Sequence, residues 1–185
     1  MKHLTTAELE AGLDAIRQSP KDNGILKLII RRPRENVREV LQTGELDLIE
    51  GLVGDTWKTR GSSRTADGSS HPDMQLNIMN SRVAALVAQN ESRRQLAGDQ
   101  LYIDLDLSDE NLPPGTRLTI GSAVIEVTAQ PHNGCKKFVE RFGLDAMRFV
   151  NSMLGKQFHL RGINAKVVHA GVIKTNDAVK KISEF

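Results

Sequence analysis

Between Leu101 and Ser108 apolar and polar residues alternate without a break. Leu101, Ile103, Leu105 and Leu107 fall on one side, and Tyr102, Asp104, Asp106 and Ser108 on the other. A period of two buries one face of a pleated strand, so this segment calls for an antiparallel neighbour and a core on its leucine side. Further short β-type runs surround it. Ile25 to Arg31 is one, Met74 to Met79 alternates like a strand, and Leu118 to Val127 reads as two strands joined at Gly121-Ser122. That pair suits a two-residue hairpin of type II′. β character returns from Phe158 to Val168, and Val167 to Ile173 ends the apolar sequence before a charged tail. The pattern predicts a mainly β fold, a closed or partly open β-barrel with several short peripheral helices.

The helical segments are brief. Thr5-Thr6-Ala7-Glu8 has the form of a capping box, and Leu9, Leu13 and Ile16 share one face before Pro20 stops the helix. Ser81 is placed to cap a helix from Arg82 to Gln89 that turns Val83, Leu86 and Val87 inward. Phe138, Val139 and Phe142 form an apolar stripe up to Gly143, and Ala146, Phe149, Val150 and Met153 continue it to Gly155. Two short helices, or one broken at Gly143, account for this stripe. Residues 1–24 thus read as a helical extension and residues 25–185 as the barrel domain.

Composition excludes several classes. A formal net charge of +2 over 185 residues gives no ground for expecting a nucleic-acid partner, and 4% aromatics offers little for base stacking. No run approaches the ~18 apolar residues of a membrane span, and Met1 to Glu8 lacks a signal-peptide apolar region, so a cytoplasmic protein is expected with no membrane partner. With Cys135 the sole cysteine, neither an intrachain disulfide nor a cysteine-rich zinc site can form.

Cys135 itself lies in Pro131-His132-Asn133-Gly134-Cys135-Lys136-Lys137-Phe138, where β character gives way to helix. Adjacent ammonium groups, a helix start and solvent access all favour a reactive thiolate, which makes Cys135 a candidate nucleophile or soft-metal ligand. The alternative is a small buried apolar residue. His132, three residues earlier, is either its partner or a turn residue. From Trp57 to Met74 there is no apolar periodicity, and the segment is rich in Gly and Ser, with Lys58, Arg60, Arg64 and His71 among them. Such a loop can wrap an oxyanion. Neither a P-loop nor a G-x-G-x-x-G fingerprint is present. Arg31, Arg32, Arg34 and Arg38, interleaved with Glu35 and Glu39, read equally as an anion contact or a solvated turn.

Several separate motifs then carry a family resemblance. Gly98-Asp99-Gln100-Leu101, Glu110-Asn111-Leu112, Leu118 to Ala123, Pro131 to Cys135, Arg161 to Val167 and Gly171-Val172-Ile173 together resemble a MOSC domain, named for the C-terminal part of molybdenum cofactor sulfurases. The likeness is strongest over residues 98–177. Upstream, Gly51 to Asp55 and Gln75 to Met79 extend it to about residue 46. One departure is Asn176-Asp177 where the family pattern has Gly-Asp; asparagine tolerates positive φ, so the turn is expected to survive.

The resemblance implies a β-barrel and a role in which Cys135 carries sulfur as a persulfide or ligates molybdenum in a bound molybdenum cofactor (molybdopterin). Arg60, Arg64, Lys137 and Arg161 are the cations expected near the cofactor phosphate. His71, Asn111, His132, Asn133 and Gly134 complete the expected cofactor-binding set, though Asn111 has the alternative of fixing a turn. Three functions stay open at this point. One is a cofactor-binding or sulfur-carrier protein, fed by a pyridoxal-phosphate-dependent cysteine desulfurase, pyridoxal phosphate being a family-level association. Another is a molybdenum-cofactor-dependent reductase of N-hydroxylated compounds with an external electron-transfer protein. The last is a cofactor-free thiol redox sensor.

Overall fold

The structure, a computed structural model, describes residues 2–182. Two helices open it, α1 (Thr6–Ala11) and α2 (Leu13–Arg17). Thr5 and Glu8 cap α1 reciprocally, Glu8 N–H donating to Thr5 Oγ1 and Thr5 N–H to Glu8 Oε2. The single helix expected here is interrupted at Gly12. The chain continues through β1 (Gly24–Arg31), β2 (Glu39–Leu41), β3 (Thr43–Asp47), β4 (Gly51–Leu52), α3 (Trp57–Arg60), β5 (Leu76–Asn80) and α4 (Ser81–Ala88). A 3-10 segment, Glu91–Ala97, leads to β6 (Leu101–Asp104) and the hairpin β7 (Arg117–Ile120) and β8 (Ala123–Val127). Helices α5 (Lys136–Phe142), α6 (Leu144–Asn151) and α7 (Met153–Gln157) precede β9 (Ile163–His169), β10 (Gly171–Lys174) and β11 (Ala178–Lys181).

Seven strands close into a barrel in the order β11, β7, β8, β9, β5, β6, β1, with β1 pairing back onto β11. β2 extends the sheet along the far end of β1, and β10, β3 and β4 form a separate small sheet. Closure leaves no barrel strand with an unpaired edge along its whole length. The closing strand lies in what the sequence presents as a charged tail. Its contribution to the core is Val179, fully buried between β1 and β7, while Lys180 is exposed. The turn into β11 takes Asn176 at φ 73°, as the substitution of glycine by asparagine required.

The alternation at Leu101 is real but shorter than expected and differently used. Leu101 and Ile103 point into the barrel core, whereas Tyr102 faces outward yet is buried in a second core formed with the helices. Asp104, also outward, is held by Arg82 Nε at 2.7 Å. Ile29 and Ile30, and Ile78 and Met79, divide between the two cores in the same way. Leu9, Leu13, Phe138, Phe142 and Phe149 supply the helical side. Each fully buried leucine, isoleucine or phenylalanine stabilises the fold by roughly 1.5–3 kcal/mol relative to exposure.

β6 is antiparallel to β1 but parallel to β5. A parallel pair needs a crossover, and α4 with the 3-10 segment provides it. Asn80, not Ser81, caps α4, its side chain accepting from Arg82 N–H and Val83 N–H. The hairpin turns at Gly121-Ser122 as expected; Gly121 has φ 57°, and a β-carbon there would lie 2.3 Å from Val172 O. Among the described residues no helix is long and apolar enough to cross a membrane.

Barrel closure through Val179 predicts that Val179→Asp lowers urea-denaturation stability by several kcal/mol, because it places a charge in the apolar barrel core, while Lys180→Asp changes it by less than about 0.5 kcal/mol.

Candidate functional site

The β5-to-β6 crossover ends with three successive carbonyls that no helical N–H satisfies. Such a terminus carries partial negative charge and attracts cations. Here three arginines from three parts of the chain meet it. Arg141 Nη1, on α5, donates to Leu96 O at 2.8 Å; Arg161 Nη2, before β9, donates to Ala97 O at 3.0 Å; Arg32 Nη1, after β1, donates to Gly98 O at 2.7 Å. Gly98 terminates the segment at φ 93°.

Two of these arginines are fixed further by buried carboxylates. Arg32 forks onto Asp55, Nε to Oδ2 and Nη2 to Oδ1, each at 2.8 Å. Arg161 Nη1 donates to both oxygens of Asp99, at 2.9 and 2.8 Å, and its guanidinium lies over the Phe138 ring. Asp99 also meets His132 Nε2 at 2.6 Å. Burial would raise the Asp99 carboxyl, but the Arg161 guanidinium and the His132 contact outweigh it and hold it below the usual carboxylate range. Burial, then Arg161, push His132 below its ordinary value against the pull of Asp99. The ring is therefore neutral near pH 7; with Asp99 ionised, Nε2 carries the proton and Nδ1 remains an acceptor.

Around this frame lies a cavity of about 570 Å³. Arg34, Arg38, Arg60 and Arg141 line it, and none has a carboxylate partner among the described residues. Burial and nearby Arg141 lower the Arg38 guanidinium, and burial and Arg32 lower that of Arg60. Cys135 lines the same cavity and is solvent-exposed. Its segment is pinned by Asn151, which accepts from Gly134 N–H at 2.8 Å and donates to Gly134 O at 3.1 Å. Asn164 Nδ2 holds the preceding chain through Gln130 O. An exposed thiol among uncompensated guanidinium groups suits an anion that also needs a soft sulfur donor. Among the described residues no three His, Cys, Asp or Glu converge on a metal position, so Cys135 stands without companion ligands of those types.

Five of the ten residues expected from the sequence come together here: Cys135, His132, Arg60, Lys137 and Arg161 line the cavity. The other five do not line it. Arg64 reaches Pro131 O at 3.4 Å from outside, and His71 Nδ1 accepts from Asp73 N–H within its own 3-10 turn. Gly134 is held by Asn151, and Asn133 lines a smaller cavity of about 290 Å³ with Lys156 and His159. Asn111 fixes a turn, donating to Lys21 O and Asp106 O. Lys137 pairs with Glu35 at 2.9 Å, and both Nη groups of Arg161 are engaged by protein, which makes Arg161 a positioning residue in this geometry. Arg32, Arg34 and Arg38 carry one sequence signal, the clustering of arginines before β2, which does not separate an anion contact from a solvated turn, and Arg141 carries none.

A family model described as MOSC domain matches residues 69–180. A comparison with curated protein sequences finds no match. Among solved structures, YuaD from Bacillus subtilis is similar with a TM-score of 0.66 at 15% identity, covering 88% of this chain and 97% of its own. YiiM from Escherichia coli is similar with a TM-score of 0.54 at 20% identity, covering 87% and 71%. YiiM from Geobacillus stearothermophilus has a TM-score of 0.52 at 14% identity, covering 88% and 73%. At these identities the likeness establishes the fold alone.

The neutral, largely enclosed His132 predicts acid sensitivity. Its folded-state value lies below the unfolded value of ~6.5, so its contribution is complete above that pH and is lost as pH falls toward the lower folded value. Asp99, also depressed, adds a further loss below ~4. Denaturation free energies measured from pH 7.5 to 5 should fall in the wild type and fall less steeply in His132→Gln; identical slopes would show that His132 is not the group responsible.

Proposed function

The chain belongs to the MOSC domain family, which is associated with molybdenum cofactor binding or sulfur chemistry, and we propose that it binds the anionic, phosphate-bearing pterin form of that cofactor in the arginine-lined cavity, with Cys135 offering sulfur to it. The observation that carries this reading is the meeting of an exposed thiol with guanidinium groups that lack carboxylate partners among the described residues.

The cavity residues fit such a group on three counts. About 570 Å³ lies within the range of sites for small molecules and cofactors. Arg38 lines the cavity and its side chain makes no hydrogen bond among the described residues, which leaves its guanidinium available to a ligand. Thiolate sulfur suits a soft or redox-active metal. When bound, the cofactor supplies the redox-active metal that the chain's own residues cannot. The residues then divide by task. Arg38, Arg60, Arg34 and Arg141 bind the anionic portion, Arg32 with Asp55 and Arg161 with Asp99 keep the walls in place, and neutral His132 presents an acceptor. The exposure of Cys135 also favours a sulfur-carrier reading, in which its thiolate attacks the outer sulfur of a persulfide on a pyridoxal-phosphate-dependent cysteine desulfurase, forming the Cys135 persulfide as the desulfurase thiolate leaves.

Both readings predict a covalent or coordinate load on Cys135. Protein purified from a molybdenum-replete host should carry molybdenum with a pterin, or a sulfur adduct of about 32 Da by intact mass. Cys135→Ser should lose most of the molybdenum or all of the adduct, with stability within about 0.5 kcal/mol of wild type because the side chain is exposed. Wild type free of all three, or Cys135→Ser holding molybdenum at the wild-type level, would contradict the proposal.

A further inference from the structure

In the cavity lining two guanidinium groups converge on a single glycine. A β-carbon placed on Gly98 would lie 3.5 Å from Arg141 Nη1 and 3.8 Å from Arg38 Nη2. Arg141 is anchored there by Leu96 O through Nη1 alone, which leaves its other N–H groups unassigned. Arg38 makes no side-chain hydrogen bond and no ion pair among the described residues, and its Nε is buried. Two like charges in a partly desolvated place repel, and neither has a carboxylate counterion among the described residues. The missing side chain at Gly98 leaves between them the space that a bound group would occupy.

We propose that Arg38 and Arg141, with Gly98 as the floor between them, form a clamp for a phosphate-class oxyanion, the terminal phosphoryl group of a larger ligand. A tetrahedral oxyanion can accept from two planar donor forks at once, which a single carboxylate or a halide does less well. The clamp belongs to the lining of a cavity far larger than a phosphate, so the remaining volume receives the organic part of the ligand. This deepens the cofactor reading by naming where its phosphate sits, and rests on that reading only for the identity of the organic part. Arg161, the cation the sequence favoured, is bound by Asp99 and Ala97 O instead.

Calorimetry on the full chain tests the clamp with three probes: inorganic phosphate, a pterin bearing a phosphate ester, and the same pterin without it. Wild type should bind both phosphates and bind the ester more tightly than the phosphate-free pterin. Arg38→Gln should weaken both phosphates by about tenfold or more, the usual effect of losing a charge-assisted hydrogen bond, and leave the phosphate-free pterin unchanged. Arg38→Lys should restore little, because a point charge lacks the fork. Since the Arg38 side chain makes no hydrogen bond or ion pair among the described residues, Arg38→Gln should unfold in urea no earlier than wild type without ligand, which keeps the binding result interpretable should Arg141→Gln fold poorly. Unchanged phosphate affinity in Arg38→Gln, or equal affinity of wild type for the pterin with and without phosphate, would overturn the clamp. Molybdenum and pterin loading of Arg38→Gln/Arg141→Gln at the wild-type level would overturn it while leaving the cofactor reading intact. Phosphate binding lost in Arg38→Gln, with no pterin or molybdenum ever found in the wild type, would support the clamp and remove the cofactor reading.

Discussion

Three carbonyls at the end of the β5-to-β6 crossover, those of Leu96, Ala97 and Gly98, are each held by an arginine from a different part of the chain. A parallel strand pair inside an otherwise antiparallel barrel makes this crossover necessary, and its last turn leaves carbonyls that burial cannot tolerate unpaired. Arginine solves the problem with several donors per side chain, so one group can satisfy a carbonyl and still engage a carboxylate or face the cavity. The outcome is that the segment following β1, helix α5 and the segment preceding β9 are drawn to one point. The cavity lies beside this point, and Thr56, Thr59, Arg60, Met74 and Asn77 complete its wall.

The arginines around it fall into two groups by their partners. Arg32 and Arg161 belong to buried ion pairs with Asp55 and Asp99. Such pairs contribute little net stability against a well-packed apolar replacement, but losing one partner costs about 3–5 kcal/mol because the other charge is stranded. Their value here is geometric, since they fix the walls. Arg34, Arg38, Arg60 and Arg141 have no carboxylate to answer them among the described residues. Positive charge gathered in a concave, partly desolvated place lowers the cost of bringing in an anion and raises the cost of leaving the place empty.

Much of the barrel was legible because period-two alternation and turn chemistry are local. The hairpin at Gly121-Ser122, the capping box at Thr5 and the positive φ of Asn176 all follow from residues adjacent in sequence. Features set by distant neighbours were not legible. β11 carries one core residue, Val179, too few to raise an apolar pattern above its lysines. Tyr102 lies on the polar side of an alternating strand and is buried because helices cover that face. In the site, Cys135 stood out by its uniqueness and its flanking lysines, yet Lys137 turns to Glu35. Arg141 reads as the solvated face of an amphipathic helix until the crossover supplies Leu96 O as its acceptor. Arg161 was noticed as a cation, but its engagement by Asp99 depends on a contact 62 residues apart in sequence.

The central claim is that one cavity brings an anionic, metal-bearing ligand and the Cys135 sulfur together. Diffraction from crystals of protein made in molybdenum-replete cells, recorded on both sides of the molybdenum absorption edge, tests it most directly. The account predicts an anomalous peak inside the cavity next to Cys135 Sγ, with phosphate density between Arg38 and Arg141. A peak at any other place on the molecule, or a cavity filled by water alone in such crystals, would contradict it.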